Sequence, residues 1–103
     1  MPDPSAAEQA GAAHDTLMWE VVAAPGRLAD LLRWIDEEAV PDLLRTPNCL
    51  SVDAYAAADD RAVLIIRFEG RPARVPDPPE DLVRRSAHQW PFRHLWSRGV
   101  RSG

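Results

Sequence analysis

The chain contains no lysine and a single cysteine, Cys49. Without lysine, Schiff-base and lysine-nucleophile mechanisms are closed to it. One cysteine excludes an intrachain disulfide and a multi-cysteine metal site, and it suits a reducing cytoplasm. No apolar run approaches the roughly 20 residues that span a bilayer. Glycine is sparse, and Gly26, Gly70 and Gly99 stand alone as turn residues, so no Gly-rich phosphate or dinucleotide loop is present. No Ser-His-Asp pattern occurs. His14 lies in a polar arm, and His88 and His94 are six apart, beyond the spacing that puts two metal ligands on one helical face. No metal or cofactor is therefore expected.

What is there begins with charge. The formal net charge of −4 argues against nucleic acid as a partner. From Leu82 onward, however, the chain has five arginines (Arg84, Arg85, Arg93, Arg98, Arg101) and no Asp or Glu. That segment reads either as a solvated tail or as an anion or partner site. With 103 residues, the chain has length for one small domain with a thin core. A second copy is a common cover for the other face of such a sheet. Residues 1–15 are rich in Ala, Pro and acid, lack a signal-peptide pattern and read as a disordered arm. Residues 16–97 read as the domain and 98–103 as a frayed tail.

The domain opens with an alternating strand near Leu17–Ala23. Leu17, Trp19, Val21 and Ala23 point one way, and Met18, Glu20 and Val22 the other. Pro25-Gly26 breaks it. Leu28, Leu31, Leu32 and Ile35 then mark one helical face. Pro41 is expected to open a separate short turn with Leu43 and Leu44 inward. A hairpin follows. Its first strand alternates Leu50, Val52, Ala54 and Ala56 against Ser51, Asp53 and Tyr55, and Asp59-Asp60 turns the chain. The second strand, Ala62–Glu69, is the most hydrophobic stretch and reads as central, with Ala62, Leu64, Ile66 and Phe68 on one face and Val63, Ile65 and Arg67 on the other. Four prolines in Arg71–Pro79 make a stiff loop. Pro79 then fits the first turn of a second helix to Ala87. A short edge strand is expected within Phe92–Trp96. Strand, helix, hairpin, helix is most of a ferredoxin-like α+β sandwich, an antiparallel sheet with two helices on one face.

Strand Thr16–Ala23, Pro25-Gly26, the Leu28-Ala29-Asp30-Leu31-Leu32 helix, Pro47-Asn48-Cys49-Leu50 and a hairpin ending Val63-Leu64-Ile65-Ile66-Arg67-Phe68-Glu69 together resemble the dimeric α+β barrel superfamily. The nearest branch is the antibiotic-biosynthesis-monooxygenase-like domain. The resemblance covers roughly Leu17–Trp96. It implies homodimers whose sheets form a barrel, with a pocket between sheet and helices. It also implies, for some members, oxidation of aromatic polyketides without metal or flavin. The haem-degrading branch fits poorly, because Trp19 stands where that branch offers an Asn and Phe68 where it offers a Trp. His88 alone matches its histidine.

On this reading Trp19, Phe68, Trp90 and Phe92 would line a pocket for a flat aromatic ligand, with His88 as the catalytic base. The alternative is plainer. Trp19 and Phe68 are core, His88 answers a helix dipole, and Trp90-Pro91-Phe92 anchors the C-terminus. Glu20, Asp53, Tyr55 and Arg67 share the opposite sheet face and read as a homodimer interface, with Arg67 pairing Asp53 or Glu20 or clamping a carboxylate. Two functions stay open: a cofactor-independent monooxygenase-like enzyme, or a non-catalytic binding or accessory domain of the same fold.

Overall fold

The computed structural model describes residues 14–99. The expected N-terminal arm lies outside the described residues except for His14 and Asp15, and the expected tail does so beyond Gly99. The chain is α+β. In order it forms β1 (Thr16–Val22), α1 (Leu28–Trp34), a π-turn segment (Ile35–Ala39), α2 (Val40–Leu44), β2 (Cys49–Ala56), β3 (Arg61–Phe68), a 3-10 turn (Glu80–Leu82) and β4 (His88–Phe92). The sheet order is β2-β3-β1-β4, and every neighbouring pair is antiparallel. This arrangement is compatible with a ferredoxin-like fold in which one helix is present.

Alternation in the two inner strands builds the core. Leu17, Trp19 and Val21 of β1 lie beside Ile66, Leu64 and Ala62 of β3. All six are buried against Leu31, Ile35, Ala39 and Leu43 from the helical segments. The expected helical face is rotated slightly. Leu31 and Ile35 are buried, whereas Leu32 is exposed; further along, Leu43 turns inward and Leu44 does not. The buried positions follow one stripe, so a neighbouring leucine falls outside it.

Pro41 does not begin a separate turn, because α1, the π-turn and α2 run on without a break. Its ring would collide with the carbonyl of Glu37 in a regular helix, and it offers no N–H. The wider π-turn immediately ahead contains Glu37 and accommodates both, with the Val40 N–H donating to the Ile35 carbonyl. In β2, a bulge between Cys49 and Ser51 displaces Leu50 from the expected alternation and leaves it exposed. Asp60, at φ 65°, makes the tight hairpin to β3 in a left-handed conformation that Asp tolerates.

The second helix expected over Pro79–Ala87 is absent. Only Glu80–Leu82 turn, and Val83 is extended at φ −124° and ψ 150°. Backbone pairing to the end of β1 replaces helical hydrogen bonding. The Ala24 N–H donates to the Leu82 carbonyl at 2.9 Å, and the Arg84 N–H to the Val22 carbonyl at 2.9 Å. The last strand also begins earlier than expected, at His88 rather than Phe92, because it pairs with β1 from Glu20 back to Thr16.

The proline-rich loop covers the sheet where a second helix would lie. Its Val75 is buried in the main core. Gln89 of β4 holds it by accepting from the Val75 N–H at 3.0 Å and donating to the Val75 carbonyl at 3.2 Å. One amide side chain thus satisfies both backbone groups of a buried residue in a loop that forms no ladder. Replacing Gln89 by Leu is expected to destabilise the fold by about 2 kcal/mol, since it strands a buried donor and acceptor. Urea unfolding checks this value. The Trp19 indole Nε1 has no partner among the described residues. Trp19→Phe therefore forfeits no hydrogen bond, and its effect is expected within about 1 kcal/mol of wild type, well below the 3–5 kcal/mol of Phe68→Ala.

Candidate functional site on the open sheet face

The side of the sheet away from the helix carries the remaining alternation. It presents Ser51, Asp53 and Tyr55 from β2; Arg61, Val63, Ile65 and Arg67 from β3; and Thr16, Met18 and Glu20 from β1. β4 adds His88, Trp90 and Phe92. These sets line up across the strands, with Met18 beside both Ile65 and Trp90, and Thr16 beside both Arg67 and Phe92.

This layering divides the residues expected to share one pocket. Trp19 is 0% exposed and Phe68 2%, both sealed in the core on the helix side. His88, Trp90 and Phe92 stand on the opposite face. The His88 and Trp90 rings meet edge to face at 5.5 Å. The reason for the division is parity. His88, Trp90 and Phe92 are paired with even-numbered residues of β1, whereas Trp19 is odd, so no rotation of side chains brings them to one side.

Glu20, Asp53, Tyr55 and Arg67 share the open face. Within the chain, Glu20 accepts from Arg61 at 2.7 Å, and Arg61 also reaches Asp59 at 3.0 Å. Arg67 contacts the His94 ring, with Nη2 3.4 Å from Nδ1. The His94 Nε2 lies 2.8 Å from the Ser97 hydroxyl oxygen.

His94 belongs to the segment that follows β4, and Asp15 ties that segment to the start of β1. The Asp15 carboxylate accepts the His94 backbone N–H at 3.0 Å and the Thr16 hydroxyl at 3.2 Å, while its carbonyl accepts the Phe68 N–H. Between this segment and the sheet lies an open cavity of about 290 Å³. Met18, Ile65, Phe92 and Leu95 give it a largely apolar lining, and Thr16, Arg93 and His94 supply its polar atoms. Its volume matches the lower end of small-ligand pockets.

Sequence reasoning missed His94, Arg61 and Asp15. A signal for His94 was present. The positions 88, 90, 92 and 94 keep a period of two, so a strand at His88 places His94 on the same side as Phe92. Cys49 is half-buried, and burial pushes its thiol up against a smaller opposing effect of the Ser51 backbone N–H. A thiol so shifted is a poor nucleophile at neutral pH. Among the described residues, no group of three or more His, Cys, Asp or Glu could hold a metal ion, and no helix is long and apolar enough to cross a membrane.

A scan of protein-family models, a search of curated proteins and a search of solved structures each found no match.

The His94 backbone N–H holds the Asp15 carboxyl below its ordinary range against the next-largest effect, burial, and the Thr16 hydroxyl adds a smaller lowering. A carboxyl lowered in the folded state stabilises it fully above the ordinary value of about 3.9 and loses that contribution as pH falls through the lowered value. Acidification from neutral pH is therefore expected to release the segment around His94 before the sheet melts. Hydrogen exchange of the His94 amide, followed from pH 7 downward, should show protection lost below the usual carboxylate range. In Asp15→Ala, the same amide should be unprotected already at neutral pH.

Proposed function

We propose that this chain is a non-catalytic binding domain of the dimeric α+β barrel type, pairing with a second copy through its open sheet face. The observation that carries the reading is an asymmetry. The helix side is packed solid by Trp19, Phe68, Leu64 and Ile66, while the other side leaves Tyr55 59%, Trp90 41% and Phe92 47% exposed. An inner strand apolar on both faces, as β3 is with Val63 and Ile65 opposite its core residues, belongs in a sheet covered on both sides.

Size and charge agree with a second copy as the cover. Four strands about 4.8 Å apart and about 23 Å long present roughly 450 Å² of face. A standard interface takes about 800 Å² from each partner, so exposed Leu95 and Trp96 beyond β4 would have to join it. The face carries both signs, with Asp53 and Arg67 unpaired as ion pairs among the described residues, which suits contact with an identical surface.

A second reading rests on the His94 imidazole in the wall of the apolar cavity. It is cofactor-independent oxidation of an aromatic or polyketide-type substrate, with a histidine taking the first proton. His88, the base expected from the sequence, lies on the same face. Oxygen uptake with phenolic polyketides tests it. Uptake that survives both His88→Ala and His94→Ala removes histidine from the mechanism, and no uptake leaves the binding reading alone.

Sedimentation equilibrium tests the pairing. The expected species has twice the 11.5 kDa of one chain. Ile65→Glu is expected to weaken association about 30-fold or more, because it puts a charge at the centre of the face. A wild-type chain that stays monomeric at high concentration contradicts the proposal.

A further inference from the structure

We infer that the cavity on the open face binds a small organic carboxylate with a flat apolar body. Ile65 and Leu95, which line it, also belong to the face proposed for pairing, so the ligand and a second copy would meet on the same surface.

The body of the ligand is set by the lining. Met18 and Ile65 are register partners on the two inner strands and form the sheet side of the cavity, Phe92 rises from β4, and Leu95 closes from the following segment. Phe92 offers an aromatic surface for stacking, and Met18 adapts its shape to an irregular neighbour. The ligand is small, since the cavity holds about 290 Å³.

Arg67 sets the ligand's charge from the edge of the cavity: it is not a lining residue but contacts His94, which is. Arg67 is half-buried and stands beside Thr16 in the register, two residues from Ile65 on the same face. Its guanidinium has five N–H donors in a planar fork, and among the described residues it uses a single long contact, to His94 Nδ1. The carboxylates of this face do not neutralise it. Glu20 is held by Arg61 at the far end, Asp15 is occupied by the Thr16 hydroxyl and the His94 N–H, and Asp53 stays exposed on β2 without an ion pair to Arg67. Arg93, in the cavity lining, likewise forms no ion pair among the described residues. A partly desolvated fork beside an apolar cavity matches a planar carboxylate better than a neutral polar group.

The chain offers its own reporter. Met18 is the methionine among the described residues, and it lines the cavity. In methyl-labelled protein, 2-naphthoate is expected to shift the Met18 signal. Neutral 2-naphthamide, of the same shape, is expected to bind about tenfold more weakly or worse. In Arg67→Gln, acid and amide should bind alike. The inference is overturned if Met18 does not respond to naphthoate, if the two ligands bind equally to the wild-type protein, or if their difference persists in Arg67→Gln. The comparison of acid with amide needs no substitution, so it remains decisive if that variant does not fold.

Discussion

The alternation of β1 decides the organisation of the molecule. As an inner strand, it sends Trp19 into the core and Met18 and Glu20 to the other side, and its partners on both flanks must follow. A slip by one residue would expose Trp19 and bury Glu20, an exchange of several kcal/mol that holds the register firmly. The division of the candidate residues follows from this. No loop movement reunites Trp19 and Phe68 with His88 and Trp90, because a hydrogen-bonded sheet lies between them.

Solid packing between helix and sheet leaves the apolar cavity to the other face. A missing helix would ordinarily leave the core uncovered beside β4. The loop rich in proline fills that place, with Val75 buried and its backbone held by Gln89. Stiff residues suit this task, since a segment with few conformations to lose is ordered at smaller entropic cost. The segment after β4 crosses the other face in turn, secured by Asp15 just ahead of β1. It creates the apolar cavity and brings His94 to Arg67 there.

The sheet was largely legible in the sequence. Period-two alternation marked β1 and the hairpin, and the unbroken apolar run of β3 identified it as an inner strand. Legibility failed where tertiary contacts override local preference. Pro79, Glu80 and Asp81 make a sound helix start, yet pairing of Leu82 and Arg84 with the end of β1 wins over continuation. Pro41 read as a break because a π-turn is invisible to patterns built on the α period. The site was the least legible part. Assigning Trp19 and His88 to one pocket assumed that His88 would end a helix above the sheet. As the first residue of β4 it is bound to the opposite face.

The account stands on Trp19 being sealed and its neighbours' face being the accessible one. Fluorotryptophan NMR with a soluble paramagnetic probe measures this directly, since the chain's four tryptophans report from different depths. The account predicts that the Trp19 signal keeps its width while that of Trp96, 63% exposed, is broadened. Broadening of Trp19 to the same degree would mean that the helix side is open, and would contradict it.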